Sequence, residues 1–279
     1  MLSWRVAIII AAVVIAVDGR GGDGDAVSDD VCGNDTSGHA YYACLYPFEL
    51  PQCDHVPESR PAAAPAALTV KDYVAFLRRG KEHITRIIVV DLSDLEYFAY
   101  KDAITAIMQS VEFGSDNALL THPEGFSAEY NILMNSKLSL LHSAAEENYF
   151  RSAYFFWVDA GYGHGKDVFP KSCTWAPRNL MRRDDDRVTY IQLVDLTLIE
   201  SVHSIYKKPL PPFINGGFFG GSQKALEEYY KVHKIVFDDL LRHNMVDDDQ
   251  TVAVACYFAK PELFNMVPGS WYDAFNMFQ

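Results

Sequence analysis

Apolar residues fall along this chain in two rhythms. Short unbroken runs of β-branched and aromatic residues, "RIIVVD" (Arg86–Asp91), "AYFFWVD" (Ala153–Asp159) and "RVTYIQLVD" (Arg187–Asp195), predict strands covered on both faces. "HAYYACLYPF" (His39–Phe48) is a candidate first strand. Elsewhere apolar positions recur at helical spacing. "TVKDYVAFLRRGKEH" places Val70, Tyr73, Val74 and Leu77 on one face, opens with Thr69 and Asp72 in a capping pattern and stops at Gly80. Ser127–Glu147 and Gly221–His243 predict two long helices, and a shorter one falls within Glu96–Val111. "QTVAVACYFAKPELFNMV" reads as a helix or strand with a following segment. Buried strands alternating with helices predict an α/β fold, with a mostly parallel central sheet flanked by helices. Such sheets bind ligands outside the carboxyl ends of their strands, where Asp91, Asp159 and Asp195 each stand.

The amino terminus departs from this pattern. Arg5 precedes the apolar run Val6–Val17, which Asp18 ends abruptly. Spanning a bilayer takes about 20 apolar residues, so the run predicts a signal peptide or short signal anchor over residues 1–17 and a destination in the secretory pathway, secreted or in the Golgi or ER lumen. A buried amino-terminal strand is the competing reading, disfavoured by the charged, glycine-rich sequence behind it. Residues 18–39 read as a flexible stem, residues 40–279 as one domain, and "PESRPAAAPAAL" (Pro57–Leu68) as a surface loop. In an oxidising compartment Cys32, Cys44 and Cys53 suit disulfide formation, with Cys173 and Cys256 making an odd total. No CxxC pair is present to suggest zinc. Asn34-Asp35-Thr36 is a glycosylation sequon, which would make the product a glycoprotein.

A 279-residue chain with 49% hydrophobic and 22% charged residues can bury a large core. The net charge of −13 argues against nucleic acid as a partner and leaves membrane contact to an uncleaved amino-terminal segment. An anionic nucleotide sugar remains compatible, because a local basic cluster or a divalent cation reverses the field in a cleft.

Three stretches could carry chemistry. "FFWVDAGYGHG" delivers Asp159 from a buried strand into a glycine turn, where a carboxylate can hold a divalent cation that bridges diphosphate oxygens. Trp157 is then either part of a binding wall or simply core. "PPFINGGFFGGSQKAL" sets Gly216-Gly217 and Gly220-Gly221 around Phe218-Phe219, which reads as two tight turns, the second opening a helix able to receive an anion or a sugar hydroxyl. "MVDDDQTVAVACYF" opens a helix with Asp247, Asp248, Asp249 and Gln250. Helix-dipole stabilisation is one account of these acids; an acid-amide set facing a sugar is the other. "RRDDDR" (Arg182–Arg187) reads as a solvated loop, with Arg178, Arg182 and Arg183 available to phosphate.

Together with "SAEYNILMNSKLSLLHSA", "AKPELF" and the closing "SWYDAF", these stretches in this order resemble the HtrL/YibB family from Ser127 to Phe275. The resemblance implies a GT-A-like (Rossmann-type) glycosyltransferase fold that moves a sugar from a nucleotide diphosphate donor to a glycan or other hydroxyl acceptor. Asp159 then looks like the strand-end acid at the diphosphate, holding manganese or magnesium. Gly161 stands where a D-x-D motif would have its second acid. Gly216, Gly217, Gly220 and Gly221 would wall the donor or acceptor pocket; Asp248, Asp249 and Gln250 would lie near the sugar, with Asp248 or Asp249 as general base. Lys137 would neutralise phosphate or else snorkel at the surface, and Trp271 and Asp273 would close the site. The competing readings are a secreted, non-catalytic glycan-binding or structural protein on the same fold and, more distantly, a hydrolase using Asp159 with Asp247–Asp249.

Overall fold

A computed structural model describes residues 15–17, 79–80, 85–88, 90–159, 162–163, 166, 168, 179, 186–208 and 212–278. The expected strand at His39–Phe48, residues 1–14 of the expected leader, the expected stem and helix before Gly80 (bar Arg79), the sequon and Cys32, Cys44, Cys53 and Cys173 lie outside them. Strand β1 is Ile15–Val17, β2 Tyr154–Val158, β3 Val188–Gln192, β4 Ile214–Ser222 and β5 Phe264–Pro268. The named helices are α1 (Lys101–Met108), α2 (Ala128–Glu147), α3 (Gln223–Arg242), α4 (Asp249–Ala259) and the short α5 (Ala274–Met277). No helix among the described residues is long and apolar enough to cross a membrane.

The protein is α/β, with a four-stranded mixed sheet, β2-β4-β3-β5, flanked by helices; β1 adds three residues along the β2 edge. The sheet is not mostly parallel. β4 runs antiparallel to both β2 and β3, and only β3 and β5 pair in parallel. β4 causes the discrepancy, because its sequence "INGGFFGGS" carries too much glycine to read as a strand and looks like two turns. It is instead nine continuous residues of strand.

Cross-strand pairing explains those glycines. Phe155 faces Gly221 and Phe156 faces Gly220, so these two phenylalanines of β2 lie opposite positions without a side chain. A Cβ on Gly220 would stand 2.3 Å from the Phe155 carbonyl oxygen and 2.4 Å from Phe156 Cδ1. Phe218 and Phe219 then project to opposite faces, as period-2 strand geometry requires. Phe219, Phe155, Trp157, Val188 and Tyr190 join the larger core under α1–α4; Phe218, Phe156, Val158 and Ile191 join a smaller one closed by Ala274, Phe275 and Phe278.

The helices form where the periodicity places them. Ser127 caps α2 by accepting from Tyr130 N at 3.1 Å, and Asn148 ends it in a left-handed conformation. Ser222 caps α3 in the same way through Ala225 N. The predicted helix near Glu96 begins as a 3-10 turn over Glu96–Tyr100 before α1. The predicted strand at Arg86–Asp91 does not form among the described residues: no neighbour pairs with it, and Ile88 is exposed. An apolar run without a partner strand has no ladder to satisfy its backbone.

Candidate functional site

The three strand-end acids have different fates. Asp91 is exposed and precedes a 3-10 turn, its N–H donating to Asp94 Oδ2. Asp195 lies three residues beyond the end of β3, also exposed, and accepts from Thr197 N and Oγ1, which hold its carboxyl below the usual range. Both shape turns. Asp159 alone sits where β2 meets other functional groups. Its backbone N–H continues the ladder to the Gly217 carbonyl at 2.9 Å, and its side chain remains about one-third exposed.

Lys137 organises the site. It rises from α2 with its side chain 6% exposed, and its ammonium donates to Asp159 Oδ2 at 3.2 Å, to the Gly216 carbonyl at 3.1 Å and to Asp249 Oδ2 at 3.1 Å. Three donors thus meet three oxygens from three elements. Burial works against the Lys137 charge; Asp249 and Asp159 overcome it, so its pKa ends above the ordinary lysine range. Neither the phosphate-binding nor the surface reading of Lys137 describes this arrangement. The residue is a buried tie between β2, the start of β4 and the first turn of α4.

Trp157 is core rather than a binding wall. It is 2% exposed and its ring lies nearly parallel to Phe219. Its one polar atom, Nε1, donates to Asp159 Oδ1 at 2.7 Å. Trp157 and Lys137 therefore fix both oxygens of the Asp159 carboxylate.

Gly216 and Gly217 belong to the site, whereas Gly220 and Gly221 do not. A Cβ on Gly216 would meet Gln250 Cγ at 2.8 Å and Asp249 Oδ2 at 2.9 Å; one on Gly217 would meet Asp159 Oδ2 at 3.3 Å. The absence of side chains lets β4 pass between the two carboxylates. Gly220 lies four residues further along the strand, about 13 Å at 3.3 Å per residue. There it serves the sheet contacts with Phe155 and Phe156.

The acidic run divides by role. Asp248 is the N-cap of α4: Oδ1 accepts from Gln250 N at 3.1 Å and Thr251 N at 3.3 Å, while Oδ2 accepts from Gln250 Nε2. Asp247 is 6% exposed and its Oδ1 accepts the Asp248 N–H. Burial raises the pKa of both, and their mutual repulsion adds to the rise at Asp248. Asp249 turns toward Lys137. Burial pushes it up to about 7; Lys137 opposes the rise, and Asp248 and Asp159 add to it. Of the expected acid-amide set, Asp249 and Gln250 flank Gly216, and Asp248 is held by the helix it starts. Gln250 Oε1 is buried with no hydrogen-bond partner.

Trp271 and Asp273 reach the site only indirectly. The Trp271 carbonyl accepts from Asn215 Nδ2 and from Tyr162 OH, both at 2.5 Å. Asn215 Oδ1 in turn accepts the Gly217 N–H at 2.8 Å. Asp273 accepts the Ser270 N–H and shapes its own turn. Asn215 and Tyr162 are links that sequence reading missed, although both lie inside quoted stretches as polar residues among glycines. Gly161 lies outside the described residues.

Asp159 does not fit a divalent cation in the way the D-x-D analogy expects. Both its oxygens face N–H donors, and the space between it and Asp249 is bridged by an ammonium.

Comparison with known proteins agrees with the resemblance noted in the sequence. The family described as "Bacterial protein of unknown function (HtrL_YibB)" matches residues 67–279. Protein HtrL of Escherichia coli (strain K12) is 28% identical over 218 residues, covering 75% of this chain and 74% of that protein. No solved structure matches the chain. The match takes in every element that builds the Lys137 site, and on it the chain belongs to the HtrL/YibB family.

Proposed function

We propose that the chain is a glycosyltransferase-like protein of the secretory pathway, with a sheet that is a variant of the GT-A arrangement. In this reading a nucleotide diphosphate sugar lies across Gly216-Gly217 and its sugar is passed to a glycan or other hydroxyl acceptor. One observation carries it. Asp159, Gly216, Gly217, Asp249 and Gln250 meet around one buried lysine at the carboxyl end of β2, the region where α/β sheets place ligands. Solvent reaches this cluster at Asp159, whose side chain is about one-third exposed, and a donor would enter there.

In the transfer, the bond between the anomeric carbon and the diphosphate oxygen breaks and one to the acceptor oxygen forms. The acceptor proton passes to Asp249, whose pKa near neutrality suits a general base. Asp159, held by Lys137 and Trp157, orients hydroxyl groups.

A thermal-shift screen of nucleotide sugars tests the reading, with wild type beside Asp249→Asn and Gly216→Ala. Stabilisation by a donor, lost in Gly216→Ala, is expected together with slow donor hydrolysis that Asp249→Asn abolishes. Stabilisation by free glycans and by no donor would replace the reading with non-catalytic glycan binding.

A further inference from the structure

We propose that Lys137 is the resident cation of this site, and that it closes the Asp159–Asp249 pair to divalent metal ions. Two carboxylate oxygens and a backbone carbonyl oxygen converge on one point, which is a donor set a hard divalent cation would take. Nζ already occupies that point, at 3.1–3.2 Å from all three. The ammonium cannot withdraw easily. The whole residue is 4% exposed, so its stem is enclosed by protein. The outer oxygen of Asp159 offers no second place, since Trp157 Nε1 donates to it at 2.7 Å from a core position.

Charge balance points the same way. With both acids ionised the trio carries one net negative charge. Lys137 already sets one positive charge between the two carboxylates. An incoming divalent ion would face a fixed positive charge in a buried setting, where repulsion is poorly screened. The resulting expectation for transfer, that donor binding survives chelation, rests on the function proposed above; the exclusion of the ion does not.

A second cluster is weaker. His142, Glu146 and Glu227 lie close together, but the two carboxylates face different ring nitrogens and Glu227 is paired with Lys231.

The test is a manganese titration of the chelator-treated full chain, with free Mn²⁺ read by electron paramagnetic resonance. Wild type and Asp159→Asn are expected to take up the same amount of ion. Lys137→Met is expected to gain one equivalent, bound at least tenfold more tightly than any ion on wild type, and to lose it in the double variant with Asp159→Asn. Should Lys137→Met fail to fold, Lys137→Gln takes its place, and the comparison of wild type with Asp159→Asn stands without either. A wild-type ion that disappears in Asp159→Asn overturns the proposal, as does a folded Lys137→Met that gains none. Donor-induced thermal shifts are recorded separately in EDTA: a shift that persists supports the proposal, and one that needs manganese overturns it. Absence of any donor shift fells the transferase reading and leaves the manganese titration to decide this one.

Discussion

The Lys137 ammonium and the Asp249 carboxylate approach to 3.1 Å across the junction of α2 and α4, and the same ammonium holds Asp159 at 3.2 Å. A buried cation with two anionic partners is costly to break from one side, because what remains is unpaired charge. Lys137→Met is therefore expected to lose about 3–5 kcal/mol in urea unfolding. The loss should be greater at pH 8 than at pH 5.5, where Asp249 is protonated.

Asp249 itself makes stability depend on pH. Its folded pKa of about 7 exceeds the ordinary aspartate value of about 4. Between those values the folded chain holds a proton that the unfolded chain has released, so this group's contribution to stability falls as pH rises and levels off above 7. Lys137, Asp159 and Asp248 set the size of the effect. Buried His233, with its pKa lowered to about 3 by burial, acts in the opposite direction, since its contribution is lost as pH falls from about 6.5 toward 3. The difference between wild type and Asp249→Asn isolates the aspartate, and the wild-type disadvantage should grow from pH 4 to pH 7.

The glycines of β4 should rank by what a methyl group meets. Gly220→Ala drives Cβ onto the Phe155 backbone carbonyl at 2.3 Å, which cannot move without disturbing the ladder. Gly216→Ala meets the movable Gln250 side chain at 2.8 Å, and Gly217→Ala meets nothing closer than 3.2 Å. Overpacking typically costs about 1–3 kcal/mol. Gly220→Ala is expected at or above the top of that range, Gly216→Ala within it and Gly217→Ala below it, as read from unfolding midpoints.

Asp248 tests a cap against a catalyst. Asp248→Ala removes the acceptor for two backbone N–H groups and is expected to cost about 1 kcal/mol. Asp248→Asn keeps the cap and should keep both stability and any donor binding. Loss of binding in a stable Asp248→Asn would return Asp248 to the site.

Tyr97 and His233 join the 3-10 turn before α1 to α3 through a 2.6 Å bond between the phenol oxygen and Nδ1, buried from water. Tyr97→Phe leaves the imidazole without this partner and is expected to cost about 1–3 kcal/mol by chemical denaturation.

Much of this was legible in the chain. The long helices α2 and α3 followed from apolar spacing and from Ser127 and Ser222 at their starts, since local capping and periodicity act over a few residues. β2 and β3 followed from short apolar runs. The run at Arg86–Asp91 looked the same and forms no strand among the described residues, because pairing depends on a neighbour that a local pattern does not contain. β4 failed in the reverse sense. Its glycines make sense only opposite Phe155 and Phe156, so the strand was hidden until its partner was known.

The sequence by itself determined the long helices α2 and α3, the strands β2 and β3 and the α/β class, and it made Asp159, Gly216, Gly217, Asp249 and Gln250 candidates. Tertiary structure decided what they do together. It reversed β4, separated Gly220 and Gly221 from the site, made Asp248 a cap and Trp157 core, and put the Lys137 ammonium where a metal ion was expected. The reason is physical. Helix and strand preferences are short-range, whereas the state of a buried charge depends on what lies within a few ångströms in space. For Lys137 those neighbours come from β2, β4 and α4.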